Sequence, residues 1–189
     1  NGEVFMRQVS ADGRVLTNAT QVNTTTFGSQ KEVEVTQLEN GNFVVGWTDT
    51  SATAPDFSGT TVRFQMFDAA GHKVGVETCA PTITTGDQAL SSMVALDDGR
   101  FAVVWANNAE NKMRIRVYNA DGTPAGSEQI LNQAVDQRVI GAITSYGAHG
   151  FAHALVTGAF PNTTISVQRY SDAGSPIGGP IAVTIGSSF

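Results

Sequence analysis

FDAAGHKVG, residues 67–75, decides how this chain is read, because the chain writes it again. YNADGTPAG stands at 118–126 and YSDAGSPIG at 170–178, with a worn copy, VSADGRVL, at 9–16. Aligned on Gly13, Gly71, Gly122 and Gly174, the copies are 58, 51 and 52 residues apart. The residues before each glycine alternate: VFMRQVSADG, VRFQMFDAAG, MRIRVYNADG and ISVQRYSDAG. Period-two alternation is the signature of a half-buried strand. The Asp or Asn that follows, with a glycine shortly after, is hairpin-turn chemistry. A short strand follows each turn, as in KVGVETC.

A second block recurs between these hairpins: VEVTQLENGNFVVGW, SMVALDDGRFAVVW and GAITSYGAHGFAHAL. It reads as strand, tight turn, strongly apolar strand. Gln30, Gln88 and Gln137 stand just ahead of its copies. The repeat therefore holds four strands in about 50 residues, the size of a β-propeller blade. The fold expected is all-β, with repeated four-stranded antiparallel blades and about three and a half repeats, fourteen strands in all. One repeat-built domain spans 1–189, with units near 1–42, 43–100, 101–150 and 151–189. Trp47 and Trp105 end the apolar strand in two copies, with Leu155 in the third, and read as packing between blades. The arginines Arg63, Arg114, Arg116 and Arg169 read as the solvent-facing half of their strands.

Composition narrows the function. Formal net charge is −6, only three of the eleven basic residues are lysine, and these are scattered. Nucleic-acid binding is not expected, and no apolar run is long enough for membrane insertion by a helix. The single Cys79 rules out an internal disulfide framework. A chain rich in Gly, Thr, Ser, Asn and Val and poor in Lys reads as β-rich, with many turns, and extracellular rather than cytosolic. It starts at Asn1 rather than Met, which reads as a mature or excised piece of something longer.

The residues Asp98-Gly99-Arg100-Phe101 to Trp105, Phe67 to Gly75, and Gly86-Asp87-Gln88 resemble a repeat of large secreted bacterial proteins, including RTX-type and adhesin-like surface proteins. The resemblance covers nearly the whole chain. It implies a propeller-like fold and a secreted or surface location. It carries over no catalytic residue.

Sites were sought residue by residue. The histidines are His72, His149 and His153. An i, i+4 pair on a strand stands about 13 Å apart, too far for one metal. His153 stands where other copies have Val, which predicts an edge-exposed position. Asp97 and Asp98 are weak calcium candidates, although Asp-Gly is also plain turn chemistry; otherwise no cofactor is expected. The loop TDTSATAPDFSGTT, residues 48–61, is longer than ANNAENK at 106–112. It offers Asp49, Asp56 and Phe57, and the matching loop of the last copy offers Phe160 and Asn162. An aromatic beside short polar side chains is suited to stacking on a sugar and bonding its hydroxyls. No catalytic motif occurs. The expectation is a non-catalytic surface or adhesion module, not an enzyme, that assembles through open β edges. Its partners would be other copies or the rest of a longer repeat protein. The alternative is a lectin-like propeller binding glycans with the loops after Trp47, Trp105 and Leu155.

Overall fold

A computed structural model describes residues 2–133, 142–147, 150–157 and 164–183. Fourteen strands and no helix are found among them. A two-stranded hairpin comes first, β1 (Phe5–Met6) with β2 (Thr20–Gln21). Three antiparallel four-stranded sheets follow. The first blade is β3 (Gln30–Gln37), β4 (Phe43–Asp49), β5 (Thr61–Phe67) and β6 (Lys73–Cys79). The second is β7 (Gln88–Ala95), β8 (Phe101–Asn107), β9 (Lys112–Tyr118) and β10 (Gln129–Gln133). The third is β11 (Ala142–Ser145), β12 (Gly150–Thr157), β13 (Thr164–Ser171) and β14 (Pro176–Val183). Each is a meander in sequence order. β7 lies beside both β3 and β11, so the first strands of the blades gather together. This is a β-propeller-like arrangement.

The repeated turn is one structure used four times. The N–H of Gly13, Gly71, Gly122 and Gly174 each reaches back to the carbonyl three residues earlier, at 2.9 Å. All four glycines hold φ between 83° and 87°, which a side chain disfavours. The hydrogen-bonded sheets begin at Gln30, Gln88 and Ala142. The strand that leads into each Asn-Gly or Asp-Gly turn is thus the first strand of a blade.

The register gives each blade two unlike ends. Gln30 pairs with Asp49, Asp49 with Thr61, and Arg63 with Cys79, which makes one end polar. At the other end Phe43 pairs with Phe67, their rings stacked 5.4 Å apart. The linkers 22–29 and 80–87 and the long loop 50–60 sit at the polar end.

The core lies in the seams between sheets. Val45, Trp47 and Phe67 pack on Val4 and Val22 of the hairpin segment. Val44 faces the other way, into a cluster with Leu90, Met93, Phe101 and Trp105 of the second blade. A further cluster joins Val104, Met113 and Ile115 to Ile143, Phe151 and Tyr170 of the third. Both tryptophans are fully buried. Because neighbours cover both faces of a blade, the polar halves of the strands are buried too. Arg63 and Arg114 are buried, not solvent-facing. His153 is 0 % exposed, not at an open edge. The hairpin offers no first strand to lie against β3, and Val33 and Val35 there are exposed.

Candidate functional site

The long loop does not form the site its sequence suggests. Asp49 is fully buried and its carboxylate is spoken for. Oδ2 accepts from Arg63 Nε and from Ser51 Oγ, both at 2.6 Å. Oδ1 accepts from Gln30 Nε2 and the Ser51 N–H, both at 3.1 Å. Arg63 also donates to the carbonyls of Thr53 and Ala54, at 3.0 and 2.9 Å. Its Nη1 stands 3.4 Å from Glu77 Oε1. Asp56 is 1 % exposed, with Oδ1 accepting the Ser58 N–H and Oδ2 without a partner. Only Phe57 is open to solvent. Phe160, Asn162, His149 and Gln137 lie outside the described residues, as does the side chain of Leu155.

The arginine cluster is a brace that the repeat reuses. Glu77, on the last strand of the first blade, accepts from the backbone and hydroxyls of Thr24 and Thr25 in the incoming linker. Burial pushes its carboxyl up, but those hydrogen bonds outweigh it and hold it below the ordinary range. In the second blade Arg114 pairs with Glu110 and Glu128, and Glu128 accepts from Thr82 of the next linker. Groups so fully committed to one another have a structural role, fastening linker to blade.

The calcium candidates resolve similarly. Asp97 and Asp98 are exposed in a turn. Arg100 donates through Nε to Asp98 at 2.6 Å and through Nη2 to Asp172 at 2.6 Å. Hydrogen bonding from Arg100 holds the Asp98 carboxyl below its usual range. Among the described residues no three His, Cys, Asp or Glu side chains cluster as metal ligands.

What the structure does bring together lies on the first strands. A recess of about 400 Å³ is lined by Glu32, Val33 and Glu34 of β3, by Ala89, Leu90 and Ser91 of β7, and by Ala106. Both strands slip register there, β3 between Lys31 and Glu34 and β7 between Leu90 and Ser92. Bulges re-aim side chains and spread a strand pair. Glu32 even takes a positive φ of 54°, uncommon for a residue with a side chain. Thr48 Oγ1 donates to Glu32 Oε2 at 2.6 Å and accepts the Leu90 N–H at 2.8 Å. The Met93 N–H donates to Glu34 Oε2 at 2.7 Å. Two carboxylates of one strand are thereby anchored at one recess, Glu32 within its own blade and Glu34 across the seam.

Sequence reasoning missed both glutamates. The signal was there: QKEVEVTQ has two acids where QALSSMVA, at the same place in the second blade, has none. A residue that the repeat does not require is not explained by the fold.

The chain is similar to the solved structure of the GH43 endo-arabinanase from Bacillus licheniformis. Identity is 14 %, the TM-score is 0.44, and the match covers 98 % of this chain and 76 % of that one. No family model and no curated protein matches the chain. The expectation of a non-catalytic adhesion module and of no enzyme is corrected here. That expectation rested on finding no convergent polar groups, whereas Glu32, Glu34 and Ser91 line one recess. Of the loop residues expected to bind glycans, Asp49 and Asp56 are buried, Phe57 is exposed, and Phe160 and Asn162 lie outside the described residues.

Proposed function

We propose that this chain carries the sugar-handling site of a carbohydrate-active enzyme, at the recess between β3 and β7. Glu32 and Glu34 are its working pair and glycosidic-bond hydrolysis its reaction. The observation that supports this is the pair of anchored carboxylates at one recess. Glycoside hydrolysis uses two carboxyl groups: one protonates the leaving oxygen, the other activates water or attacks the sugar. Glu34, which accepts a backbone N–H, suits the base or nucleophile. Glu32, which accepts from the Thr48 hydroxyl, is the other member of the pair. Ser91 lines the same recess.

Composition supports a secreted or cell-surface setting. No helix among the described residues is long and apolar enough to cross a membrane. The resemblance to repeats of large bacterial surface proteins supports work within a longer chain. The test is release of reducing ends from a panel of polysaccharides. Glu34→Gln and Glu32→Gln each lower it at least a hundredfold while leaving the urea midpoint unchanged. Release that persists in both variants refutes the assignment.

A further inference from the structure

We propose that the seam between the second and third blades is an acid-operated joint, held shut at neutral pH and released when His153 takes up a proton. Three observations meet there. First, His153 occupies the register position of Val45 and Val103, opposite Gln168 as they are opposite Gln65 and Arg116. It is 0 % exposed and neither ring nitrogen has a hydrogen-bond partner. Second, the seam it faces is apolar: Val104, Met113, Ile115 and Leu131 from the second blade, Ile143, Phe151 and Tyr170 from the third. Third, the brace of the other blades is gone. Ser166 stands where Arg63 and Arg114 stand, and Pro180 where Glu77 and Glu128 stand.

Among the described residues no counter-charge faces the imidazole. On its own sheet the neighbours are Ile143 and Gln168, whose Nε2 donates to the Arg169 carbonyl at 2.8 Å. The titratable group on that face is Tyr170, whose hydroxyl donates to the Leu131 carbonyl at 2.7 Å and whose pKa burial pushes up to about 12. Arg100 and Asp172 pair across the seam at its turn end. Burial alone lowers the His153 pKa to about 4, against 6.5 in water. Among the described residues neither ring nitrogen has an acceptor in the closed seam, so a protonated ring must be hydrated, and the third blade must move off to admit water.

The sign follows from linkage. A group whose closed-state pKa is lowered binds its proton preferentially in the open state, so closure weakens as pH falls from about 6.5 toward 4. Between pH 7 and pH 5 those two values give a rise of about 20-fold in the ratio of open to closed seam.

Hydrogen exchange followed by mass spectrometry, corrected for intrinsic rates, tests this on the whole chain at pH 7 and pH 5. Strands β11 to β14 are expected to lose about 20-fold in protection, while β3 to β6 keep theirs. His153→Val, which restores the residue of the other blades, is expected to abolish the change, as is the non-titrating His153→Gln. An unchanged third blade, a loss spread evenly over all blades, or the same loss in His153→Val overturns the proposal.

Discussion

Arg63→Leu is the sharpest probe of how the polar end is built. The guanidinium side chain is 5 % exposed and its partner Asp49 is 0 % exposed. Removing it deletes the 2.6 Å bond to Asp49 and three bonds to the 53–54 loop. It leaves a buried carboxylate held only by Gln30 and Ser51. Breaking a buried pair from one side costs about 3–5 kcal/mol. We expect about 4 kcal/mol, read from urea unfolding at neutral pH, or a melting shift of roughly 12 °C. The second blade shows how to relieve it, since Asn107 stands where Asp49 does. Asp49→Asn in the Arg63→Leu background should recover about 2 kcal/mol, and a double-mutant cycle should give a coupling larger than that, because Asp49→Asn alone also breaks the buried pair. A cost below about 1 kcal/mol, with no coupling, would refute the structural reading and return Asp49 to the candidates for ligand contact.

Other outcomes follow from single contacts. Glu77→Gln should flatten the acid limb of the stability curve. The Glu77 carboxyl is held below its ordinary range, so its contribution is present above that range and lost as pH falls through the lowered value. Tyr118→Phe should cost about 1 kcal/mol or somewhat more in urea unfolding, because its buried hydroxyl donates to the Ala80 carbonyl at 3.0 Å across a seam. Gly28→Ala should cost about 2 kcal/mol in the same assay. Its φ is +76° and a methyl there would stand 2.9 Å from the backbone of Thr50 and Ser51. Phe57→Ala, at a side chain 75 % exposed, should change stability by less than about 0.5 kcal/mol.

The strands and turns were legible because each blade repeats the same local chemistry. Gly71 and its three counterparts mark hairpins, and FVVGW and FAVVW mark the strands between two seams. The burial of Arg63, Arg114 and His153 was not legible. Alternation separates the two faces of a strand, but it does not tell that a neighbouring sheet covers both. Arg63 and Arg114 lie in covered faces because Asp49, Glu77, Glu110 and Glu128 meet them there, from other strands and loops. The recess was hidden for a different reason. Its carboxylates become neighbours of Ser91 only through two bulges and the packing of β3 on β7. Sequence marks such a place only as a departure from the repeat.

Ala89→Trp would fill the recess between β3 and β7 without replacing either glutamate. The decisive measurement is calorimetric binding of an oligosaccharide cut from the best polysaccharide substrate, to the Glu32→Gln chain with and without Ala89→Trp. The account predicts saturable binding to the first and none to the second, at equal urea midpoints. Equal binding to both would place the sugar elsewhere and contradict the assignment of Glu32 and Glu34.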